Sequence, residues 1–272
     1  MLIWIVILLL SAGTAALLSS VFVPCEAWWF IVRILLLFLA AYVFWLLMYA
    51  LFAFVLTSFI NKKKPVTRPH HGFRRLMAET MELIMIVGRI RAHGEGLERI
   101  DRKKPFLLVA NHRSMIDPFL PLTLLKGTEI LFVCKPEVLN MPVAGGIAYI
   151  SGFPFIDRQN NREALKTIFR TVDTIKEEQV SVAIFPEGTR NKTGDPLLPL
   201  HAGSFAIAKR ANVPIVVAVN RNTEHALKHF IWRRTDVSFK VLDVIEPEQF
   251  ASLSTQDLAE RVRKELEAEL TR

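Results

Sequence analysis

Charge is almost missing from the first sixty residues, where Glu26 and Arg33 are the only formal charges and cancel each other. Cysteine is scarce too. The chain has two, Cys25 and Cys134, without metal-ligand spacing, so a disulfide framework and a thiolate metal site are excluded, and both read as small hydrophobes. There is no internal repeat and no low-complexity tract. From residue 105 onward net charge is lacking as well, with 21 Lys/Arg against 20 Asp/Glu. A near-neutral domain gives no argument for nucleic-acid binding.

What is present follows the same division. Hydrophobic residues make up 51% of the 272, slightly above the ~45–50% of ordinary soluble domains. Residues 2–23 form one uncharged run, long enough at 1.5 Å per residue to cross a hydrocarbon core of ~30 Å. A secretory signal is disfavoured, because no Lys or Arg precedes the run and a second apolar run starts at once. Pro24-Cys25-Glu26 reads as the turn, and 27–60 as a second, longer span that must tilt or project. Trp28 and Trp29 suit an interface, and Arg33 can snorkel. Lys62, Lys63 and Lys64 follow directly, so the positive-inside bias puts that end in the cytoplasm.

The formal net charge of +8 is concentrated next to the spans: residues 61–104 hold 12 Lys/Arg against 5 Asp/Glu. Pro65 to Pro69 reads as a linker. Phe73, Leu76, Met77, Met81, Ile84 and Met85 then recur at helical spacing, with Arg74 and Arg75 expected to face headgroups. His70 and His71 read as linker residues without a third metal ligand. The expected units are a membrane hairpin (1–60), a basic linker with an amphipathic helix (61–92) and a catalytic-looking domain (93–272).

Beyond that point strand and helix patterns alternate, which predicts an α/β domain with a largely parallel sheet flanked by helices. Strands are expected near 89–95, 106–111, 129–134, 153–157, 180–185, 214–219 and 237–245. Helices are expected near 118–126, 141–149, 161–178, 202–211 and 255–270.

Four stretches carry chemistry. The buried run Phe106 to Ala110 delivers Asn111-His112-Arg113-Ser114-Met115-Ile116-Asp117 at its carboxyl end, where open α/β sheets place ligands. Five residues apart, His112 and Asp117 are rotated ~140° on an ideal helix, so they meet only across an irregular turn. Such a turn lets the acid hold one ring nitrogen protonated and leave the other a free base. Asp117-Pro118 also reads as a helix start, with Asp117 as N-cap. Phe155-Ile156-Asp157-Arg158 and Phe185-Pro186-Glu187-Gly188-Thr189-Arg190 end two further strands, and Lys135 closes another. Arg158, Arg190 and Lys135 suit a phosphate. The competing reading is surface ion pairing of Asp157 with Arg158 or Arg190, and of Glu187 with Arg190.

Together, NHRSMID, FPFIDR, FPEGTR and Val213-Pro214-Ile215-Val216 resemble the four sequence blocks of the glycerolipid acyltransferases, most closely the PlsC-type 1-acylglycerol-3-phosphate acyltransferase family. The resemblance covers about residues 94–245. It implies transfer of a fatty acyl group from acyl-CoA or acyl carrier protein to the sn-2 hydroxyl of a lysophosphatidate in the membrane, giving phosphatidic acid. No further cofactor and no metal are implied. His112 would be the general base and Asp117 its partner. Lys135, Arg158, Glu187, Gly188, Thr189 and Arg190 would bind the acceptor and its phosphate, and backbone amides beside His112 would receive the oxyanion. The alternatives are another lysolipid acceptor, such as a lyso-ornithine lipid or a lysophospholipid, or a non-catalytic lipid-binding membrane protein. Two departures bear on the acceptor. The fourth block lacks a second proline, and His201, read as a cap-region residue with a weak positive charge near the site as the alternative, stands in Leu200-His201-Ala202-Gly203 where members often carry lysine.

Overall fold

A computed structural model describes residues 2–21, 27–62 and 70–271. The expected turn at Pro24–Glu26, the linker at Pro65–Pro69 and the side chains of Lys63 and Lys64 lie outside the described residues.

Two long apolar helices, α1 (Leu2–Val21) and α2 (Ala27–Ser58), pack on each other as a hairpin. Both are long and apolar enough to cross a membrane. Small and hydroxyl side chains make the close contacts: Ser11 and Ala15 are buried, and Trp45 Nε1–H donates to Thr14 Oγ1 at 3.1 Å. The large apolar side chains face outward, the inverse of a soluble protein.

α3 (His71–Val87) lies between this hairpin and the domain. The Ile3 amide donates to Glu79 Oε2 at 3.1 Å, and Tyr49 and Thr80 share a hydroxyl hydrogen bond of 2.5 Å. One expectation fails here. Arg74 does not face headgroups: it is 7% exposed, donates to Glu129 at 2.8 Å and Glu178 at 2.6 Å, and caps the Ser151 carbonyl. Removing a guanidinium from water is costly unless its donors are met, and two carboxylates and a carbonyl meet them. Arg75 alone stays on the outer face, beside Glu79.

The domain is built on a six-stranded sheet in the order β1-β6-β5-β2-β4-β3, from β1 (Ile90–Glu95), β2 (Leu107–Ala110), β3 (Ile130–Phe132), β4 (Ser181–Ile184), β5 (Ile215–Arg221) and β6 (Thr235–Ile245). Every pair is parallel except β5 and β6. The helices are α4 (Phe119–Leu124), α5 (Ala144–Ile150), α6 (Asn161–Glu178), α7 (Ala206–Ala211), α8 (Thr223–Ala226), α9 (Pro247–Phe250) and α10 (Thr255–Leu270). β2 and β4 are buried throughout, as expected of strands covered on both faces.

The strand expected at 153–157 is reduced to a bridge between Cys134 and Phe155. Cys134 N–H donates to Pro154 O and Ile156 N–H to Cys134 O, but Pro154 has no N–H with which to extend the ladder. The helix expected at 202–211 begins as a 3₁₀ turn, Ala202–Phe205, before α7. Gly146 lets α5 approach α2, since a Cβ there would sit 2.6 Å from Thr57 Cβ.

Candidate active site

β2 and β5 run side by side as far as Ala110 and Ala218, and β5 continues to Arg221. Past their last ladder pair, Asn111 and Asn220 exchange amide and backbone bonds: Asn220 N–H donates to Asn111 Oδ1 at 2.7 Å, and each side-chain amide donates to the other's carbonyl at 3.0 Å. This clamp holds the strand ends while the chain leaves the sheet at His112.

The turn that follows wraps a carboxylate. Asp117 is 0% exposed, and its Oδ2 accepts from His112 Nδ1 at 2.7 Å, Arg113 N–H at 2.6 Å and Ser114 N–H at 2.8 Å. Asp117 therefore is not a helix cap. Pro118 takes that position, and the acid points back into its own turn. With Nδ1 bonded to a carboxylate, the imidazole is held in the tautomer that leaves Nε2 basic. Its ring stacks on Phe185 at 4.3 Å with planes 15° apart, and its side chain is 19% exposed. Base and orienting acid come from one turn after β2, and the stacking platform from the end of β4.

Glu187 lies beneath this turn. It is 4% exposed, and its two oxygens accept from His112 N–H at 2.6 Å and Leu198 N–H at 2.9 Å. Burial pushes its carboxyl up, and the two amides partly offset that. A carboxylate placed this way positions the His112 backbone, and both of its oxygens are occupied by protein amides. The amides of His112, Arg113 and Ser114 are thus already bonded to carboxylates, so they are not free to receive an oxyanion.

Gly188, next in the chain, has φ +71, and a Cβ on it would fall 1.5 Å from Arg158 Nη1 and 3.0 Å from His201 Cδ2. The Arg158 guanidinium therefore lies directly across the glycine, beside the His201 ring. Arg158 Nη1 is buried without a partner. Burial alone lowers the Arg158 pKa, while burial, Arg158 and Lys135 together hold His201 below its ordinary value. Lys135 is exposed, as are Thr189 and Arg190. No ion pair joins Arg158 or Arg190 to Asp157 or Glu187 among the described residues, and Asp157 instead accepts from Gln159 N–H. The ion-pair reading fails, and three cationic or protonatable groups converge without a counter-ion.

Sequence reasoning placed His201 at a cap. It does precede the 3₁₀ turn, but without a side-chain capping bond, and its ring is turned to Arg158. Asn220, Asn191 and the stacking role of Phe185 were not anticipated; Asn191 N–H donates to His112 O at 2.6 Å. Cys134 is inert: burial pushes its thiol up to about 12. Maleimide at mildly alkaline pH is expected to leave it unmodified in the folded chain, as intact-mass analysis would show, because the thiolate is the reactive form.

The model of the family described as Acyltransferase matches residues 90–220, from β1 into β5, a stretch that holds every residue of this site. The chain is 29% identical over 167 residues to the 1-acyl-sn-glycerol-3-phosphate acyltransferase of Saccharomyces cerevisiae, covering 60% of this chain and 55% of that one. It is 30% identical to the alpha enzyme of that name from Homo sapiens, over 64% of this chain and 62% of the relative. It is 29% identical to the Haemophilus influenzae enzyme, over 56% and 63%. The chain thus spans somewhat more than half the length of these curated relatives. The crystal structure of the LPA acyltransferase PlsC from Thermotoga maritima superposes with a TM-score of 0.60 at 22% identity, covering 82% of this chain and 88% of that one, which shows the fold. The chain is thus similar to the Acyltransferase family over residues 90–220 and to 1-acyl-sn-glycerol-3-phosphate acyltransferases over somewhat more than half their length, and it shares the fold of the PlsC structure.

Proposed function

We propose that the chain transfers a fatty acyl group from an acyl thioester, carried by CoA or acyl carrier protein, to the sn-2 hydroxyl of 1-acyl-sn-glycerol 3-phosphate, giving phosphatidic acid. The observation that carries this reading is the His112–Asp117 pair at the end of β2, with the unpaired Arg158 cation across Gly188. His112 Nε2 takes the proton of the acceptor hydroxyl as its oxygen attacks the thioester carbonyl, and Asp117 stabilises the imidazolium. The tetrahedral intermediate collapses with loss of the C–S bond, and the imidazolium returns the proton to the departing thiolate. No acyl-enzyme is required, since a thioester is already activated. Arg158, Lys135, Arg190 and Thr189 hold the acceptor phosphate, and Gly188 is what lets Arg158 reach it. The lysine run after α2 favours a site on the cytoplasmic face of the cell membrane. Turnover is tested by a matrix of acyl-CoA and acyl carrier protein donors against lysolipid acceptors, using detergent-solubilised chain. No turnover of lysophosphatidate with any donor would end the proposal.

His201 adds a pH dependence. Its lowered pKa keeps it neutral in the free site at neutral pH, because charging it beside Arg158 and Lys135 is unfavourable. In folding terms, its contribution is present above the ordinary histidine pKa and lost as pH falls through the lowered folded value. A bound phosphate dianion reverses the local sign and favours the imidazolium. Acceptor KM is therefore expected to fall more steeply between about pH 7.5 and 6 in the native chain than in His201→Gln, with kcat little changed. Superimposable KM–pH profiles for the two would remove His201 from the phosphate site.

A further inference from the structure

The connection between β5 and β6 presents an apolar tip that the fold leaves uncovered. Trp232 is 83% exposed, with Ile231 and Leu227 exposed beside it. The other four tryptophans, Trp4, Trp28, Trp29 and Trp45, all belong to the two apolar runs. Ile231 has φ +61, a conformation that β-branched residues avoid and that persists only on a firm base. The base is there. The Phe230 ring fills the space beside Gly88, Thr235 N–H donates to Arg89 O at 3.1 Å, and Trp232 N–H donates to His229 O at 3.0 Å. Cations surround the tip: Lys228 and Arg233 are exposed without side-chain partners among the described residues, and Arg234 pairs with Asp236 at 2.8 Å. The loop also sits at the functional end of the sheet, since β5 ends beside Asn111 and Arg113 Nη1 donates to Glu224 of α8 at 3.2 Å.

We infer that residues 227–234 form a second membrane contact beside the active site, in which Leu227, Ile231 and Trp232 enter the bilayer interface while Lys228, Arg233 and Arg234 engage anionic headgroups. An indole at the tip with arginines behind it has the chemistry of an interfacial anchor. The occupant is a lipid surface because the chain already brings two membrane-length helices to it, and because the charge of the patch complements anionic lipid. With the hairpin holding one side and this loop the other, the mouth near His112 faces the lipid plane, and a lysolipid reaches it by lateral diffusion. The contact is the same whichever lysolipid is used.

The test uses the full chain, with Cys25→Ser and Cys134→Ala, reconstituted in vesicles of phosphatidylcholine containing about 30 mol% phosphatidylglycerol, an anionic share suited to the headgroup attraction invoked. An environment-sensitive fluorophore on Trp232→Cys is expected to shift to the blue and resist acrylamide, while the same label on Lys103→Cys, at the opposite end of the sheet, stays open to water. A label at 232 as accessible as that at 103 would overturn the inference. So would shielding that rises with protein density at fixed lipid composition, which would indicate contact between copies of the chain. Shielding that persists when Lys228, Arg233 and Arg234 are all changed to Gln would overturn the headgroup contact. As a second readout, Trp232→Ser is expected to slow turnover of vesicle-borne acceptor several-fold and leave a monomeric short-chain acceptor unaffected. Equal loss on both would make Trp232 merely structural.

Discussion

His112→Ala is expected to lower kcat by about 10²–10⁴-fold, the contribution of a positioned general base, with KM for donor and acceptor little changed. The fold should tolerate the substitution. The ring is partly exposed, and its stacking on Phe185 accounts for about 0.5–1.5 kcal/mol. Asp117→Ala is the harsher change, because it removes the acceptor for one buried and one partly buried amide as well as the histidine's partner. Each amide left unsatisfied costs about 1–3 kcal/mol, so Asp117→Ala should lose stability along with turnover. Asp117→Asn retains an acceptor oxygen and should lose turnover with less unfolding. Steady-state kinetics paired with thermal melts separate these outcomes. A His112→Ala chain that keeps more than a tenth of native turnover would remove the base from the mechanism.

Arg158→Ala is expected to raise acceptor KM by about 10–100-fold, since a hydrogen bond to a charged group is worth about 1.5–3 kcal/mol. The effect should be confined to phosphate-bearing acceptors. Against a monoacylglycerol of the same chain length, KM should barely move. Stability should not fall, because Arg158 has no protein carboxylate that its removal would strand, and its own burial is unfavourable. Gly188→Ala should reproduce the same KM defect by another route. The added methyl occupies the place of Nη1, and the positive φ adds about 1–2 kcal/mol of strain. Equal KM changes for phosphate-bearing and phosphate-free acceptors would dismiss the pocket.

How much of this was legible in advance depended on the range of the forces involved. α6 and α10 have the expected bounds because their signals are local: a 3.6-residue apolar stripe, with Asn160 or Ser254 accepting the amide three residues on. The central strands are legible as apolar runs, since burial on both faces removes any need for alternation. The expected strand at 153–157 shrinks to a bridge at Phe155 because a proline's missing donor matters only once a partner strand is present. Arg74 was misplaced because its carboxylates, Glu129 and Glu178, stand 55 and 104 residues away.

The active site divides along the same line. Order and spacing of short strings singled out His112, Asp117 and Arg158, and the structure places all three past strand ends, whose positions follow from the α/β pattern. By itself, then, the sequence determined the apolar hairpin, the alternating domain and which residue types meet at the sheet's carboxyl edge. Only the tertiary structure decided which way each of those side chains turns. Glu187 faces inward to hold the His112 amide, Asp117 points back into its own turn, and His201 points to Arg158, since a buried polar group goes where its hydrogen-bond partner is and those partners come from distant parts of the chain.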